Sequence, residues 1–317
     1  MRVYCFYHRA DLDGHCSAAI VRLWCKRHGH EFVPRGVNYG EEIDWLAGAD
    51  ENAMAVVCDF TPEGNAPAVT LGKIWEKHGK GLVWIDHHKT AIAAVGSAGR
   101  EFAGAREVDT AACVLAWHYF FKGEARPVAV TWLGKYDVFD RTDMHMWEGA
   151  VLPFQYGMRL HKTNPDGSDE PGLWKVLLAD PLGIAASHIA SAGETCLKYE
   201  RAQNARSAKS AAYDCEFEGL LCCAVNVRGN SLVLDSYARP EHRMRVLWGF
   251  AGGRWRVSLY ENGHDDVDCG EVAKRHGGGG HKGAAGFELP AHRCPLELFW
   301  PVKRETTELH GKGAGND

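Results

Sequence analysis

A histidine and two alternating aspartates, His8, Asp11 and Asp13, follow a short apolar stretch and lead into Gly14. Three groups of the same kind come later: Asp59 near the end of AMAVVCDF, Asp86-His87-His88 closing GLVWID, and Asp137 with Asp140 three residues on. Carboxylates and imidazoles without thiolates suit Mn²⁺, Mg²⁺, Fe²⁺ or Co²⁺ better than a cysteine-bound zinc. Their number exceeds the ordinary needs of one ion. An aspartate shared between two ions would reconcile so many acids at one place, where without a metal they would repel one another and resist desolvation. Taken singly each piece is weak, because a strand-end Asp is more often a cap or loop acid and a His-His pair more often surface or core. Four such groups in succession carry the expectation of a two-metal site.

A second feature is the run Gly277-Gly278-Gly279-Gly280-His281-Lys282-Gly283-Ala284-Ala285-Gly286-Phe287. As a low-complexity linker it would only be flexible. It follows a helix-like stretch and leads into an apolar one, and consecutive glycines let backbone N–H groups approach an anion, with His281 or Lys282 adding charge. A phosphate or nucleotide cradle is the expectation.

The elements that must position these residues alternate along the first half. Residues 2–7, 53–60 and 81–86 are unbroken apolar runs that turn acidic at their ends, as buried parallel strands do. Helices are expected over 17–28 and 66–78 between them. A helix over 109–121, with Asp109 or Thr110 as N-cap, and an apolar stretch over 127–136 ending at Asp137 follow. This order predicts a βαβ series and an open parallel sheet, with all four acid or histidine groups at strand ends, where such sheets bind ligands. Residues 164–169 read as an exposed loop, and 184–212 as one long helix. Beyond it, short strands are expected over 220–227, 231–235, 243–250 and 254–260, a hairpin turn at Gly252-Gly253, and a helix over 269–276. The predicted fold class is α/β: a parallel-sheet domain with helices on both faces (residues 1–190), a helical connector (191–213), a smaller α/β domain (214–304), and a disordered tail (305–317).

Composition narrows the class. In 317 residues, 36 Lys and Arg against 41 Asp and Glu leave a net charge of −5, which argues against gripping long duplex nucleic acid by bulk charge. A short phosphate-bearing substrate stays open. No run approaches the roughly 18 apolar residues of a membrane span, and RVYCFYH begins without a basic-then-apolar leader. The 11 scattered cysteines include no C-x-x-C pair and read as free thiols. A cytoplasmic protein without a membrane partner is expected.

His8-x-x-Asp11-x-Asp13-Gly14, Asp59, Asp86-His87-His88 and Asp137, in that order, resemble the four motifs of the DHH phosphoesterase superfamily. GGGGHKGAAGF at 277–287 resembles the signature of the DHHA1 domain that accompanies DHH in one subfamily. The resemblance spans residues 3 to 290. It implies that Asp11 and His8 hold one divalent metal and Asp13, His87 and Asp137 another, with Asp59 bridging. It implies that His88 faces the scissile phosphate, and that Gly278, Gly279, Gly280, His281, Lys282 and Ser258 bind substrate from the second domain, across an interdomain cleft. Relatives often carry Arg two residues after that serine, where this chain has Tyr260. The implied cofactors are two divalent ions, Mn²⁺ first, with Mg²⁺ or Co²⁺ as substitutes. The implied activity is hydrolysis of short oligonucleotides or dinucleotides to mononucleotides. Cyclic-dinucleotide or phosphoadenosine-phosphate hydrolysis is the alternative within the fold, and nucleotide binding without cleavage the alternative outside it. A homodimer is compatible with all of these.

Overall fold

The computed structural model describes residues 1–46, 48, 50–62, 67–78 and 81–302. The tail expected over 305–317, and residue 66 at the expected start of the second helix, lie outside them. The chain divides into two compact units, the first Met1–Leu197 and the second from Lys198 onward.

In the first unit, β1 (Arg2–His8), α1 (Leu12–His28), β2 (Glu31–Val37), β3 (Met54–Cys58), α2 (Pro67–Lys77) and β4 (Leu82–Ile85) build a parallel sheet in the order β2-β1-β3-β4. The inner strands are apolar on both faces because both are covered. Val3, Cys5, Tyr7, Val56, Cys58, Val83 and Ile85 pack in one core with α1, while Tyr4, Phe6, Ala55, Val57, Leu82 and Trp84 pack in another with α2. The chain leaves β1 toward β2 on one side and resumes at β3 on the other. The switch point of this sheet is therefore the crevice beyond the carboxyl ends of β1 and β3.

Further helices follow: α3 (Lys89–Gly96), α4 (Ala112–Phe120), α5 (Val128–Asp137), α6 (Met144–Met146) running through a π-turn (Trp147–Val151) into α7 (Leu152–Met158), α8 (Leu173–Leu178) and α9 (Ile184–Ala211). The 31–37 segment, for which the sequence analysis expects no element, is an edge strand, a place that tolerates Pro34. Two sequence expectations here need correction. The helix expected from residue 17 starts at Leu12, capped by Asp11, whose side chain accepts from the Gly14 N–H at 3.0 Å. The apolar stretch ending at Asp137 is the helix α5, so Asp137 stands at a helix end and the four groups do not all close strands.

The second unit holds a six-stranded mixed sheet in the order β5-β6-β7-β8-β10-β9, with β5 (Ala212–Phe217), β6 (Leu220–Val225), β7 (Met244–Ala251), β8 (Arg254–Glu261), β9 (Gly279–Gly280) and β10 (Ala284–Pro290). Helix α10 (Cys269–Arg275) covers one face with Val246, Val257, Leu259 and Phe287 in the core between. Gly252 and Gly253 both have positive φ, +60° and +78°, and make the two-residue turn between β7 and β8. Residues 231–234 form a 3₁₀ turn where a strand was expected. Among the described residues no helix is long and apolar enough to cross a membrane.

Candidate metal centre

The crevice is lined by residues that the chain holds rigidly. Gly14 is required at the β1–α1 turn, since a Cβ there would lie 2.0 Å from the His8 carbonyl oxygen. That close approach brings His8, the last residue of β1, beside the first turn of α1. The His8 ring meets Asp11 at 2.7 Å (Nδ1 to Oδ2) and Asp59 at 3.7 Å (Nδ1 to Oδ2). Asp13, buried in the first turn of α1, accepts from the Ala112 and Cys113 N–H groups at 2.8 Å each. Its carboxylate thus serves as the cap of α4 in place of Asp109 or Thr110, which make no such bond; Ala111 precedes the helix.

Asp59 follows β3 with a φ of +54°, a left-handed backbone uncommon for a residue with a side chain. This conformation puts its carboxylate, 2% exposed, between two ligand groups. One is His8, Asp11 and Asp59; the other is Asp13, Asp59 and His87, and in each the candidate ligand atoms lie within 4.8 Å of one another. The Nε2 of His87 faces Asp59 Oδ1 at 3.3 Å, Asp137 Oδ2 at 3.4 Å and Asp13 Oδ2 at 3.8 Å. One imidazole nitrogen cannot hydrogen-bond three carboxylates at once. Ligands of a common Mg²⁺-like ion, at about 2.1 Å from it, stand about 3 Å apart, which is close to this spacing. Asp59 Oδ2 and Asp137 Oδ2 are buried with no hydrogen-bond partner among the described residues. Orphaned buried carboxylate oxygens in a set of oxygen and nitrogen donors fit a divalent cation. These residues could hold a metal.

The electrostatics agree. Burial, with Asp13 and Asp11 nearby, pushes the Asp59 carboxyl well above the usual carboxylate range. Burial and Asp13 do the same to Asp137. Burial disfavours the charged His8 ring, but the carboxylates of Asp11 and Asp59 outweigh it and raise His8 to about 10. In the metal-free chain the cluster thus relieves its repulsion with protons, which a cation would replace.

His88 has another environment. Its Nδ1 lies 2.7 Å from Asp86 Oδ1, and its backbone N–H donates to the same oxygen at 3.0 Å. Asp86 is fully buried and also accepts from Thr61 Oγ1 and, at 3.3 Å, from Trp84 Nε1. Burial opposes a charge on His88, but Asp86 outweighs it and raises the imidazole above its ordinary value. Asp86 and Thr61 were not singled out as positioning groups in the sequence, although Asp86 directly precedes the His pair. Asp140 stands apart, paired with Lys135 at 2.5 Å and held by Thr142.

In the second unit the glycine run is ordered, and its glycines do separate jobs. Gly277, at φ +79°, ends α10 with N–H bonds from Gly277 to Lys274 and from Gly278 to Ala273. A Cβ on Gly278 would lie 2.1 Å from the Gly286 oxygen, and one on Gly280 2.6 Å from Ala285 Cα. Around Gly279 a Cβ would meet nothing within 4 Å. His281 and Lys282 are exposed at the β9–β10 turn. Ser258 is half-buried on β8 and, with Arg256, lines two adjoining depressions of about 470 and 500 Å³. The first also takes in Arg228 and Gly249, the second Arg254, Gly278 and Gly286. Tyr260 carries its hydroxyl to the Gly229 carbonyl at 3.4 Å.

No family model and no curated protein matches the sequence. Solved structures match over nearly the whole chain. The DHH domain of a member of the S1p family of ribosomal proteins is 12% identical, with a TM-score of 0.57, covering 90% of this chain and 82% of its own. An exopolyphosphatase-related protein from Bacteroides fragilis is 12% identical at a TM-score of 0.51, covering 91% and 86%. A pGpG-specific phosphodiesterase from Vibrio cholerae is 13% identical at 0.49, covering 92% and 94%. The chain carries the fold of the DHH domain, the fold its four motifs resemble.

Proposed function

We propose that the protein is a metal-dependent phosphodiesterase that hydrolyses short oligonucleotides or dinucleotides to mononucleotides, with Mn²⁺ as the preferred ion. The observation that carries this is Asp59 standing in two ligand groups at once. His8, Asp11 and Asp59 would hold one ion; Asp13, Asp59, His87 and Asp137 would hold the other. When bound, a pair of such ions activates water near neutral pH and stabilises the attacking and leaving oxygens of an in-line displacement. Asp59 would contribute to both positions, and the α4 amides fix the orientation of Asp13. His88, anchored at Nδ1 by Asp86, presents its other nitrogen to the phosphoryl group and donates a proton to the leaving oxygen as the P–O bond breaks.

Support for a short substrate comes from the net charge of −5 and from the second unit. There Arg228, Arg254 and Arg256 surround the two depressions, with Glu288 as the partner of Arg254 and Arg256. We assign Ser258, His281 and Lys282 to substrate binding, with the backbone of Gly278–Gly280 supplying the close approach. The test is a hydrolysis screen of the full chain in Mn²⁺ over pApA, short RNA and DNA ladders, cyclic dinucleotides, phosphoadenosine phosphate and polyphosphate. Release of mononucleotide from pApA and short RNA is expected. A metal-loaded protein that leaves every diester uncut would overturn the reading, and preference for a cyclic or 3′-phosphoadenosine substrate would replace its specificity.

A further inference from the structure

Tyr39 lies just beyond β2, at the outer end of a line of aromatic rings that starts in the core. Phe6 meets Trp45 at 5.1 Å between ring centroids, Trp45 meets Phe60 at 5.8 Å, and Tyr39 stacks on Phe60 at 4.4 Å with 26° between the planes. Phe60 is fully buried and directly follows Asp59. Steep contacts join the Tyr39 ring to His8 at 5.5 Å and to His88 at 6.4 Å. It thus touches the residue after Asp59, a ligand candidate of one group, and the imidazole anchored by Asp86. Even so it is 44% exposed.

The turn that carries this ring is tied to the centre. Asn38 N–H donates to Glu41 Oε2 at 3.1 Å, Gly40 takes a φ of +79°, and the Arg9 guanidinium pairs with Glu41 at 2.6 Å. Arg9 N–H also donates to the Val37 carbonyl at 2.9 Å. Arg9 belongs to the loop between His8 and Asp11, so Tyr39 and the first ligand group are held as one piece. Exposed tyrosines are common. Laid on a buried ring and braced against two imidazoles of the centre, this one is a rigid, partly open aromatic surface beside the place where a phosphate would sit.

We infer that Tyr39 is a nucleobase-stacking residue, which makes the substrate class phosphoesters bearing a nucleoside next to the scissile phosphate, as against inorganic phosphate chains. The inference rests on the phosphodiesterase reading of the centre. Stacking of a base on an aromatic ring changes affinity on the order of ten-fold or more. The preference would hold for any base, because every base has a π-face.

The test compares AMP with ribose 5-phosphate, which shares the sugar phosphate and lacks the base, by calorimetry on the Mn²⁺-loaded full chain. Native protein should bind AMP about ten-fold more tightly than ribose 5-phosphate. Tyr39→Leu keeps an apolar side chain over Phe60 without a planar face, and should erase that difference while leaving Mn²⁺ content and ribose 5-phosphate affinity as they were. Tyr39→Phe should keep the difference. For pApA, Tyr39→Leu should raise KM about ten-fold with little change in kcat. Should the leucine variant not fold, Tyr39→Gln makes the same comparison. Equal binding of the two ligands by native protein, or an undiminished AMP preference in the Leu or Gln variant, would overturn the inference. Absence of hydrolysis would count against the phosphodiesterase reading alone, since the binding comparison does not depend on turnover.

Discussion

Replacing Asp59 by Asn should make the metal-free protein more stable and the metal-loaded one nearly inactive. The backbone dictates the choice of residue: at φ +54° alanine would cost about 1 kcal/mol, whereas Asn tolerates the left-handed region. The change therefore removes a charge with little strain. Ligand atoms of Asp59 and Asp13, and of Asp59 and Asp11, lie within 4.8 Å. At that separation two like charges repel by about 3 kcal/mol with an effective dielectric constant of about 20. Burial raises the Asp59 carboxyl most, this repulsion adds to it and His8 offsets part, so the group rises above its ordinary 3.8. A raised folded value means that the folded metal-free chain holds a proton that the unfolded chain releases. Its contribution to stability is full below about pH 4 and is lost as pH climbs through the folded value. Asn has no charge to lose. Metal-free Asp59→Asn should thus exceed native protein at pH 8 by about 1–3 kcal/mol, several degrees in Tm, with the gap narrowing toward pH 5. Added Mn²⁺ should reverse the order by raising the native Tm alone, and hydrolysis of pApA should fall at least about a hundred-fold in the variant. Thermal melts in chelator and in Mn²⁺ at the two pH values, with metal content and pApA turnover measured alongside, check all of these. A variant that is less stable without metal, or that keeps both its Mn²⁺-dependent Tm shift and its turnover, would refute the placement of Asp59 at the hub.

Exhaustive chelation should abolish hydrolysis and Mn²⁺ should restore it, as measured by product release before and after dialysis against chelator. Gly279→Val should raise KM for a dinucleotide with Tm unchanged, because its Cβ meets nothing within 4 Å; Gly278→Val, whose Cβ would lie 2.1 Å from the Gly286 oxygen, should lower Tm markedly. A flexible linker would make the two variants alike in melts and kinetics. His88→Ala should lower kcat by about a hundred-fold while metal content stays native, which elemental analysis and single-turnover kinetics check.

Strands β1, β3 and β4 are legible in the sequence because both of their faces are buried, which leaves continuous apolar runs. β2 escapes for the opposite reason: EFVPRGV is half-exposed, and its proline fits only an edge. The α5 segment held a readable signal, since its buried residues Ala129, Val130, Leu133 and Gly134 follow helical spacing. Composition alone had made it look like the strands before it. The missing cap of α4 could not be read locally, because the carboxylate that fills it comes from Asp13, far away in the chain. His8, Asp11, Asp13, Asp59 and His87 were legible as a set through their residue types and the strand ends preceding most of them. Asp137 lies beside this set, 3.4 Å from His87, but at the end of a helix where a strand end was expected. Tyr39 gave no signal, for nothing in Asn-Tyr-Gly links a turn after an edge strand to a metal centre.

The bond between Asp13 and α4 has a spectroscopic use. The amide protons of Ala112 and Cys113 are donated to a carboxylate proposed as a metal ligand, so each lies only a few covalent and hydrogen-bonded steps from the ion. In ¹⁵N-labelled protein, paramagnetic Mn²⁺ would bleach these two resonances early in a titration, and diamagnetic Mg²⁺ would shift them as Asp13 shares its electron density. Their exchange with deuterium would slow on loading as the start of the helix is held more firmly. Occupancy of the centre could then be followed at two backbone positions that belong to no ligand residue, with no substrate present and no turnover required.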